Sequence, residues 1–237
     1  MITIINKILS SNGYQVVDIE LLDNNPNIFL FSPSSNDNKE EYFVTIQLPT
    51  QSNESAEELL EHKAEELFEA ISDSDKVERY FIKNCTMLIC HNETLIHKET
   101  IFSIEEDPYT FKKNVITYSE TELNDLKDFL TSNNINEISN SVISDIINNR
   151  NGQNFTDFKN THKTIRNYYS LFLKIALKLP FIMYTPSKKE LINLSLEIEN
   201  SFNAQDSLIY KKIMESDIEW SESDTYLQVV KIWGDLT

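Results

Sequence analysis

Short apolar runs separated by turn-forming residues characterise the first half of the chain. Runs rich in β-branched and aromatic residues cover 16–22, 28–31 and 42–48, and a similar run covers 85–91. Asparagine, aspartate and proline between the first three runs supply the backbone conformations that tight turns need. The pattern therefore predicts an antiparallel sheet, to which the run at 85–91 returns as a further strand.

A helix is predicted between the third and fourth of these strands. Ser55 and Glu58 have the spacing of a capping box, in which each side chain bonds the other residue's backbone amide. Apolar residues then recur at helical spacing and form a single stripe: Leu60, Ala64, Leu67 and Ile71. Because the glutamates of this segment lie elsewhere around the helix, the pattern is that of an amphipathic helix.

The second half of the chain has the period of helices. Ser119 and Glu122 form another capping-box pattern, and apolar residues follow at helical spacing over 123–130. A further amphipathic helix is predicted over 138–147. The polar stretch 148–153 is the best candidate for a loop.

A longer and more uniformly apolar segment covers 155–179. It predicts a central helix that is covered on several sides and closed by Pro180. A third capping-box pattern, Ser187 and Glu190, precedes another apolar stripe. The tail at 226–233 fits a helix and a strand equally well.

These elements predict an α+β protein with two modules. Residues 1–118 are expected to form a mixed α/β module with an N-terminal antiparallel sheet and a helix, and residues 119–237 a C-terminal helical module. A chain of 237 residues with an apolar fraction of 40% can bury such a core.

An excess of acidic side chains narrows the function. The chain has 38 aspartates and glutamates against 21 lysines and arginines, a formal charge of −17. This charge argues against direct nucleic-acid binding, because phosphates are neutralised by basic surface. It also disfavours an anionic membrane surface, and no apolar stretch approaches the roughly 20 residues of a membrane span. Basic protein partners fit the charge better.

The cysteines indicate the compartment. Cys85 and Cys90 are the only two, which excludes a disulfide framework and favours a reducing interior. The N-terminal residues lack the pattern of a secretion signal. We therefore expect a cytoplasmic bacterial protein.

Residue types that bind metals or nucleotides are sparse. A strand over 85–91 places Cys85 and His91 on one side and Cys90 on the other, so one ion cannot collect all three, and His97 lies farther along the chain. Three glycines are too few for a phosphate-binding loop. We expect no metal and no cofactor.

The candidate chemistry concentrates in one segment, whose sequence from residue 104 to 113 is IEEDPYTFKK. Pro108 pushes the backbone of Asp107 out of the helical region. Tyr109 and Phe111 are apolar anchors beside three carboxylates, a combination that predicts a surface loop held in one shape. The candidate partner-binding residues are Glu105, Glu106, Asp107, Pro108, Tyr109, Phe111 and Lys112.

Two roles for this segment remain open from the sequence. Its carboxylates can bind the basic surface of a partner, or they can cap backbone donors inside the protein itself. A catalytic or Mg²⁺-binding role is disfavoured, because adjacent carboxylates on an extended chain point apart and a hydrolase needs further groups.

Residues 84–125, which contain this segment, resemble the middle component of bacterial ABC three-component conflict systems, which include the Lamassu anti-phage systems. The resemblance rests on the strand at 85–91, on Glu-Glu-Asp-Pro-Tyr followed by Phe-Lys-Lys, and on the run from Ser119 to Leu123. Asn114 departs from the pattern, since an aromatic or similarly bulky residue is expected there.

The resemblance implies a function. In these systems the middle subunit links an SMC-like ATPase to an effector, often a nuclease. This implies a non-catalytic adaptor that relays the DNA-sensing state of the ATPase. Two alternatives from other classes are a metal-dependent enzyme that uses Glu105, Glu106 and Asp107, and an acidic inhibitor that mimics DNA.

Overall fold

The computed structural model describes residues 1–19, 27–34, 39–162, 164–183, 194–215 and 225–233. The chain divides into two compact units, Met1–Ser187 and Lys188–Thr237. The described part of the first unit contains one five-stranded sheet whose strands lie side by side in chain order. Its strands are β1 (Tyr14–Val17), β2 (Ile28–Pro33), β3 (Tyr42–Ile46), β4 (Cys85–Asn92) and β5 (Lys112–Tyr118).

The sheet is mixed, which refines the predicted α+β fold. Strands β1, β2 and β3 are antiparallel neighbours, as predicted, with Val16 opposite Phe31 and Phe31 opposite Phe43. Strand β1 ends at Val17, although the run predicted as a strand continued to residue 22. Strands β4 and β5 instead join in parallel. Each follows a helical connection, which allows the chain to return to the same end of the sheet. The predicted antiparallel sheet of the first three strands is thus extended by two parallel strands, whose direction the sequence pattern did not indicate.

Both faces of the central strands are covered. All five residues of β3 are buried, and so are the first seven of β4. Val44 and Met87 belong to the hydrophobic cluster on one face, whereas Phe43, Leu88 and Cys90 belong to the cluster on the other. Continuous apolar runs are typical of strands buried on two sides.

Helices between the parallel strands cover the first face. They are α2 (Asn53–Glu58), a π-helical turn (Leu59–Lys63), α3 (Ala64–Ser72) and α4 (Lys98–Glu106). Ser52 caps α2 and accepts a hydrogen bond from the amide of Ser55 at 3.2 Å. The helix therefore begins three residues earlier than Ser55 and Glu58 predicted, because Ser52 already satisfies the first free amides.

Helix α1 (Ile2–Ser11) lies on the second face. The sequence interpretation assigned no element to these residues. Ile5, Ile8 and Leu9 have no exposed surface, and their helical spacing is the signal that reveals the helix. Asn6 accepts a hydrogen bond from the hydroxyl of Thr45 on β3 at 2.7 Å, which fixes the helix against the sheet.

The remaining helices of the first unit pack on this second face. They are α5 (Glu120–Ser132), α6 (Asn140–Asn148), α7 (Gln153–Thr161) and α8 (Tyr168–Lys178). The predicted capping box at Ser119 and Glu122 is confirmed in both directions. Within the stretch predicted as a loop at 148–153, Asn149–Gly152 form a short 3-10 turn in which Arg150 and Asn151 adopt positive φ.

The single helix predicted over 155–179 is in fact two. Asn167 caps a new helix by accepting hydrogen bonds from the amides of Tyr169 and Ser170. Its φ of −145° lies outside the helical region, so α7 and α8 are separate. Pro180 has the expected effect, since α8 ends at Lys178 and Leu179 is extended.

Three helices are described in the second unit: α9 (Leu194–Ser201), α10 (Ala204–Glu215) and α11 (Thr225–Trp233). Helix α11 settles the ambiguity of the tail in favour of a helix. Ser187 and Glu190, the third predicted capping box, lie outside the described residues. The division into modules at residues 118 and 119 stays a prediction. No described helix is long and apolar enough to cross a membrane.

Glu122 connects α5 to α8 through a buried carboxylate. Its side chain is fully buried, and it accepts hydrogen bonds from Ser170 Oγ at 2.6 Å and Lys174 Nζ at 2.9 Å. Burial opposes ionisation, but the bonds from Ser170 and Lys174 outweigh it and lower the pKa of Glu122 below its usual value of 4.5. Lys174 also pairs with Glu93 at 3.1 Å, so the end of β4 joins the same network.

Glu122→Gln is expected to destabilise the protein by roughly 1–3 kcal/mol near neutral pH, because it removes a buried ionic hydrogen bond. The folded-state pKa is depressed, so the carboxylate contributes fully above about 4.5 and its contribution is lost as the pH falls through the folded pKa. Thermal melts of both proteins across this range measure the difference. Glu120→Gln, at an exposed position of the same helix, is the control. A destabilisation that persists unchanged in acid contradicts the ionic account.

Candidate partner-binding loop

The candidate loop, residues 107–111, connects the end of α4 to the start of β5. The helix stops at Glu106, and Asp107 adopts φ −65° and ψ 118°. This extended conformation is the one predicted for a residue that precedes proline. Pro108 and the residues after it bend the chain into β5.

A buried ammonium organises the loop from beneath. The side chain of Lys113 is 1% exposed, and its Nζ lies 2.5 Å from a carboxylate oxygen of Asp107. The same ammonium donates to the carbonyl of Tyr109 at 2.5 Å and to that of Phe111 at 3.2 Å. A charge in this position is tolerable because Asp107 neutralises it and the carbonyls use its remaining protons.

The neighbouring Lys112 differs from Lys113 in its exposure to solvent. It is exposed, whereas Lys113 is buried. Successive side chains on a strand point to opposite faces, so two adjacent lysines in β5 cannot share one environment. Lys112 therefore faces solvent, whereas Lys113 pairs with Asp107.

The loop contains a strained residue. Thr110 has a φ of 60°, which a β-branched residue rarely adopts. Such conformations cost on the order of 1–3 kcal/mol and persist only where surrounding contacts hold them. Here the ammonium of Lys113 supplies them, since it bonds the carbonyls on both sides of Thr110 and lies 3.4 Å from its hydroxyl oxygen.

The two aromatic anchors point in different directions. Phe111 is buried, and its ring lies 5.1 Å from that of Phe68 and 6.2 Å from that of Phe81. Tyr109 is 74% exposed. Phe111 therefore fixes the loop to the core, while Tyr109 is presented to solvent on a rigid support.

The carboxylate of Glu105 protects the edge of the sheet. It accepts a hydrogen bond from the amide of Val115 on β5 at 2.8 Å and receives Lys178 Nζ of α8 at 2.5 and 2.7 Å. Strand β5 is the last in the sheet, and an uncovered edge amide is a site for unwanted strand pairing. Glu105 is thus an internal cap.

Glu106 neither caps an amide at the edge of the sheet nor pairs with a lysine within the described residues. It is exposed, and within the described part of the chain no hydrogen bond or ion pair involves its side chain. The three consecutive carboxylates are therefore divided between the edge of the sheet, open solvent and the buried Lys113.

A side-chain contact accounts for the presence of Asn114 where the family pattern has a bulky residue. Its side-chain amide donates to the carbonyl of Lys178 at 2.8 Å, at the last residue of α8, where helix carbonyls lack intrahelical partners. An aromatic residue there cannot make this bond.

Strand β5 itself was missed by the sequence interpretation, which predicted a surface loop for the segment from residue 104 to 113 and no strand after it. The structure gives α4 up to Glu106 and β5 from Lys112. Three consecutive β-branched residues, Val115, Ile116 and Thr117, are the signal that could have revealed the strand. The carboxylates and the proline obscured it.

The cysteines lie on opposite faces of the sheet, as the strand pattern predicted. Cys85 belongs to the cluster under α2–α4 and Cys90 to the cluster under α1. Burial raises the pKa of the Cys85 thiol well above its usual range and that of Cys90 to about 12. Both remain protonated thiols at neutral pH. The described residues contain no group of three or more metal-ligand side chains.

Comparison with known families identifies a likeness that includes the whole loop. Residues 41–150 match the family described as ABC-three component (ABC-3C) system Middle Component 1. The matched region covers somewhat less than half of the chain, from β3 through α6, and contains the segment from which the resemblance was drawn. No curated protein and no solved structure matches the chain at a significant level.

Replacement of the buried lysine tests the organisation of the loop. Lys113→Met is expected to lower the free energy of unfolding by about 2–4 kcal/mol, because it leaves Asp107 and two carbonyls without their donor. Lys112→Met, one residue away and exposed, should change it by less than about 0.5 kcal/mol. Denaturant unfolding measures both. Equal effects contradict the role assigned to Lys113.

Proposed function

We propose that this protein is a non-catalytic linking subunit of an ABC three-component system. The match of residues 41–150 to Middle Component 1 carries the proposal, since a middle component of a multi-component system implies protein partners. By the resemblance, the partners are an SMC-like ATPase and an effector such as a nuclease. The subunit holds the effector to the ATPase and relays its DNA-sensing state. The system acts in the cytoplasm as a Lamassu-type anti-phage defence.

The candidate loop supports this role. Tyr109 is exposed on a loop that Lys113 and Phe111 hold in place. Exposed aromatic residues on a rigid support lose little conformational entropy on binding, and aromatic side chains dominate binding energy at interfaces. Glu106, Pro108 and Lys112 are exposed beside it. We therefore keep these four residues as the part of the candidate set that contacts a partner.

The metal-enzyme alternative has less support. Two of its three carboxylates already bind lysines, Glu105 with Lys178 and Asp107 with Lys113. A divalent cation has to displace both ammonium groups. Its binding to Asp107 leaves the buried ammonium of Lys113 without a neutralising partner. The same pairings leave only Glu106 free to contact a ligand.

The first test concerns catalysis. We expect the purified protein alone neither to hydrolyse ATP nor to cut DNA, with Mg²⁺ or Mn²⁺ present, because the sequence lacks a phosphate-binding loop and the loop carboxylates are paired internally. Nucleotide hydrolysis and plasmid cleavage assays measure this. Nuclease activity that disappears in the Glu105, Glu106 and Asp107 triple alanine variant, while the same variant remains folded, overturns the linking role.

The second test concerns the docking surface. Glu106→Lys and Tyr109→Ala are each expected to weaken co-purification with the products of the neighbouring genes, at least tenfold for Tyr109→Ala, if truncation costs about 2 kcal/mol. Both residues are exposed, so the melting temperature of the isolated subunit should stay within about 1 °C of that of the unmodified protein.

Glu105→Lys is the matched comparison. It places a second positive charge beside Lys178 and uncovers the amide of Val115, so it should lower the melting temperature. Loss of partners on Glu106→Lys without loss of stability supports docking at the loop. Unchanged assembly in both exposed variants shows that partners bind elsewhere.

The alternative of an acidic inhibitor that mimics DNA predicts a different result. Such an inhibitor should bind DNA-binding proteins in the absence of the neighbouring gene products.

A further inference from the structure

An apolar groove lies away from the candidate loop, between the helical layer and one end of the sheet. Its volume is about 410 Å³, within the range of roughly 300–1,000 Å³ typical of ligand sites. Strands β2 and β3, the segment after β3, and the helix at 59–71 line it, mainly through Ile28, Ile46, Leu48, Leu59, Leu67 and Ile71.

The helical wall of this groove is irregular. A π-helical turn, Leu59–Lys63, interrupts the helix there, and the amide of Ala64 bonds the carbonyl of Leu59. Both ends of the turn, Leu59 and Lys63, line the groove. A π-turn inserts a residue into a helix at a cost in stability, and such insertions are frequent at functional sites.

One acidic side chain lies on the same wall. Glu66 lines the groove, whereas Glu65 and Glu69 are exposed on other faces of the same helix. Within the described residues none of the three forms an ion pair, whereas the lysine at the groove, Lys63, is already paired with Glu58 at 3.0 Å. Glu66 is therefore an unpaired carboxylate beside the apolar floor, and the exposed glutamates elsewhere on the helix add to the negative potential around it.

We propose that this groove binds a segment of a partner protein that presents apolar side chains flanked by lysine or arginine. The apolar floor favours aliphatic or aromatic side chains, and the unpaired carboxylates favour cations beside them. A second copy of this chain, with a formal charge of −17, is repelled by the same negative potential, and so are the phosphates of nucleic acid. The inference deepens the linking role and rests on it for the source of the segment.

Three labelled peptides of equal length test the chemistry of the occupant. One alternates pairs of lysine and leucine, one has glutamate for every lysine, and one has serine for every leucine. Fluorescence anisotropy with the full chain should show binding of the lysine–leucine peptide at least tenfold tighter than either of the others. Equal affinity of the lysine–serine peptide means attraction to surface charge alone and overturns the proposal.

Variants locate the binding. Glu66→Lys combined with Glu69→Lys should weaken binding of the lysine–leucine peptide about tenfold or more. Asp128→Lys combined with Glu137→Lys makes the same change of charge at exposed positions on and beside α5 and should weaken it less than threefold. Equal loss in the two double variants overturns the proposal.

Methyl NMR supplies a readout that does not depend on mutation. The δ1 methyl signals of Ile28, Ile46 and Ile71, which line the groove, should shift on addition of the lysine–leucine peptide. Those of Ile5 and Ile8, which belong to the cluster on the opposite face, should not. Shifts confined to the second group, or spread equally over both, overturn the proposal.

The groove and the linking role can fail separately. Peptide binding without co-purification of neighbouring gene products rejects the linking role and leaves the groove as a peptide site. Co-purification that the Glu66 and Glu69 double variant leaves intact, together with absence of peptide binding, rejects the groove and leaves the linking role.

Discussion

A lysine ammonium buried beneath the 107–111 loop requires a neutralising carboxylate and several oxygen acceptors within reach, because an unpaired charge in such a place costs several kcal/mol. Asp107 and the carbonyls of Tyr109 and Phe111 meet this requirement. They can do so only if the chain turns sharply at Thr110, which explains the positive φ there. The shape of the loop, and the exposure of Tyr109 that follows from it, thus depend on one buried charge.

The edge of the sheet is held by the same kind of interaction. Glu105 bonds the edge amide of β5 and the ammonium of Lys178, while Asn114 bonds the end of α8. Helix α4 on one face and α8 on the other are therefore fastened around β5. Lys174 and Glu122 continue the connection to α5. The Glu105–Lys178 pair joins α4 and α8, which belong to different hydrophobic clusters, and it lies beside the loop proposed to contact a partner.

The acidic side chains divide into those paired with lysines inside the structure and those exposed on its surface. The carboxylates that the structure needs internally, Glu105, Asp107 and Glu122, each have a lysine partner. Within the described residues, Glu106 and Glu66 of the groove do not. A protein with this distribution presents two acidic surfaces of different character, a rigid loop with an exposed tyrosine and a groove with an apolar floor. Both are compatible with the basic protein partners of the proposed linking role.

Elements with local signals can be predicted from the amino-acid sequence. The antiparallel pairing of β1–β3 follows from short β-branched and aromatic runs between turns, the start of α5 from the Ser119–Glu122 capping box, and the extended backbone of Asp107 from Pro108. Three outcomes become visible only in the folded chain: β4 and β5 lie parallel, Asn167 divides one apolar segment into two helices, and Glu106 is the one of three adjacent carboxylates that stays unpaired. Those outcomes depend on partners distant in the chain, such as Lys178 for Glu105, and no spacing within a segment encodes which distant lysine a carboxylate will meet.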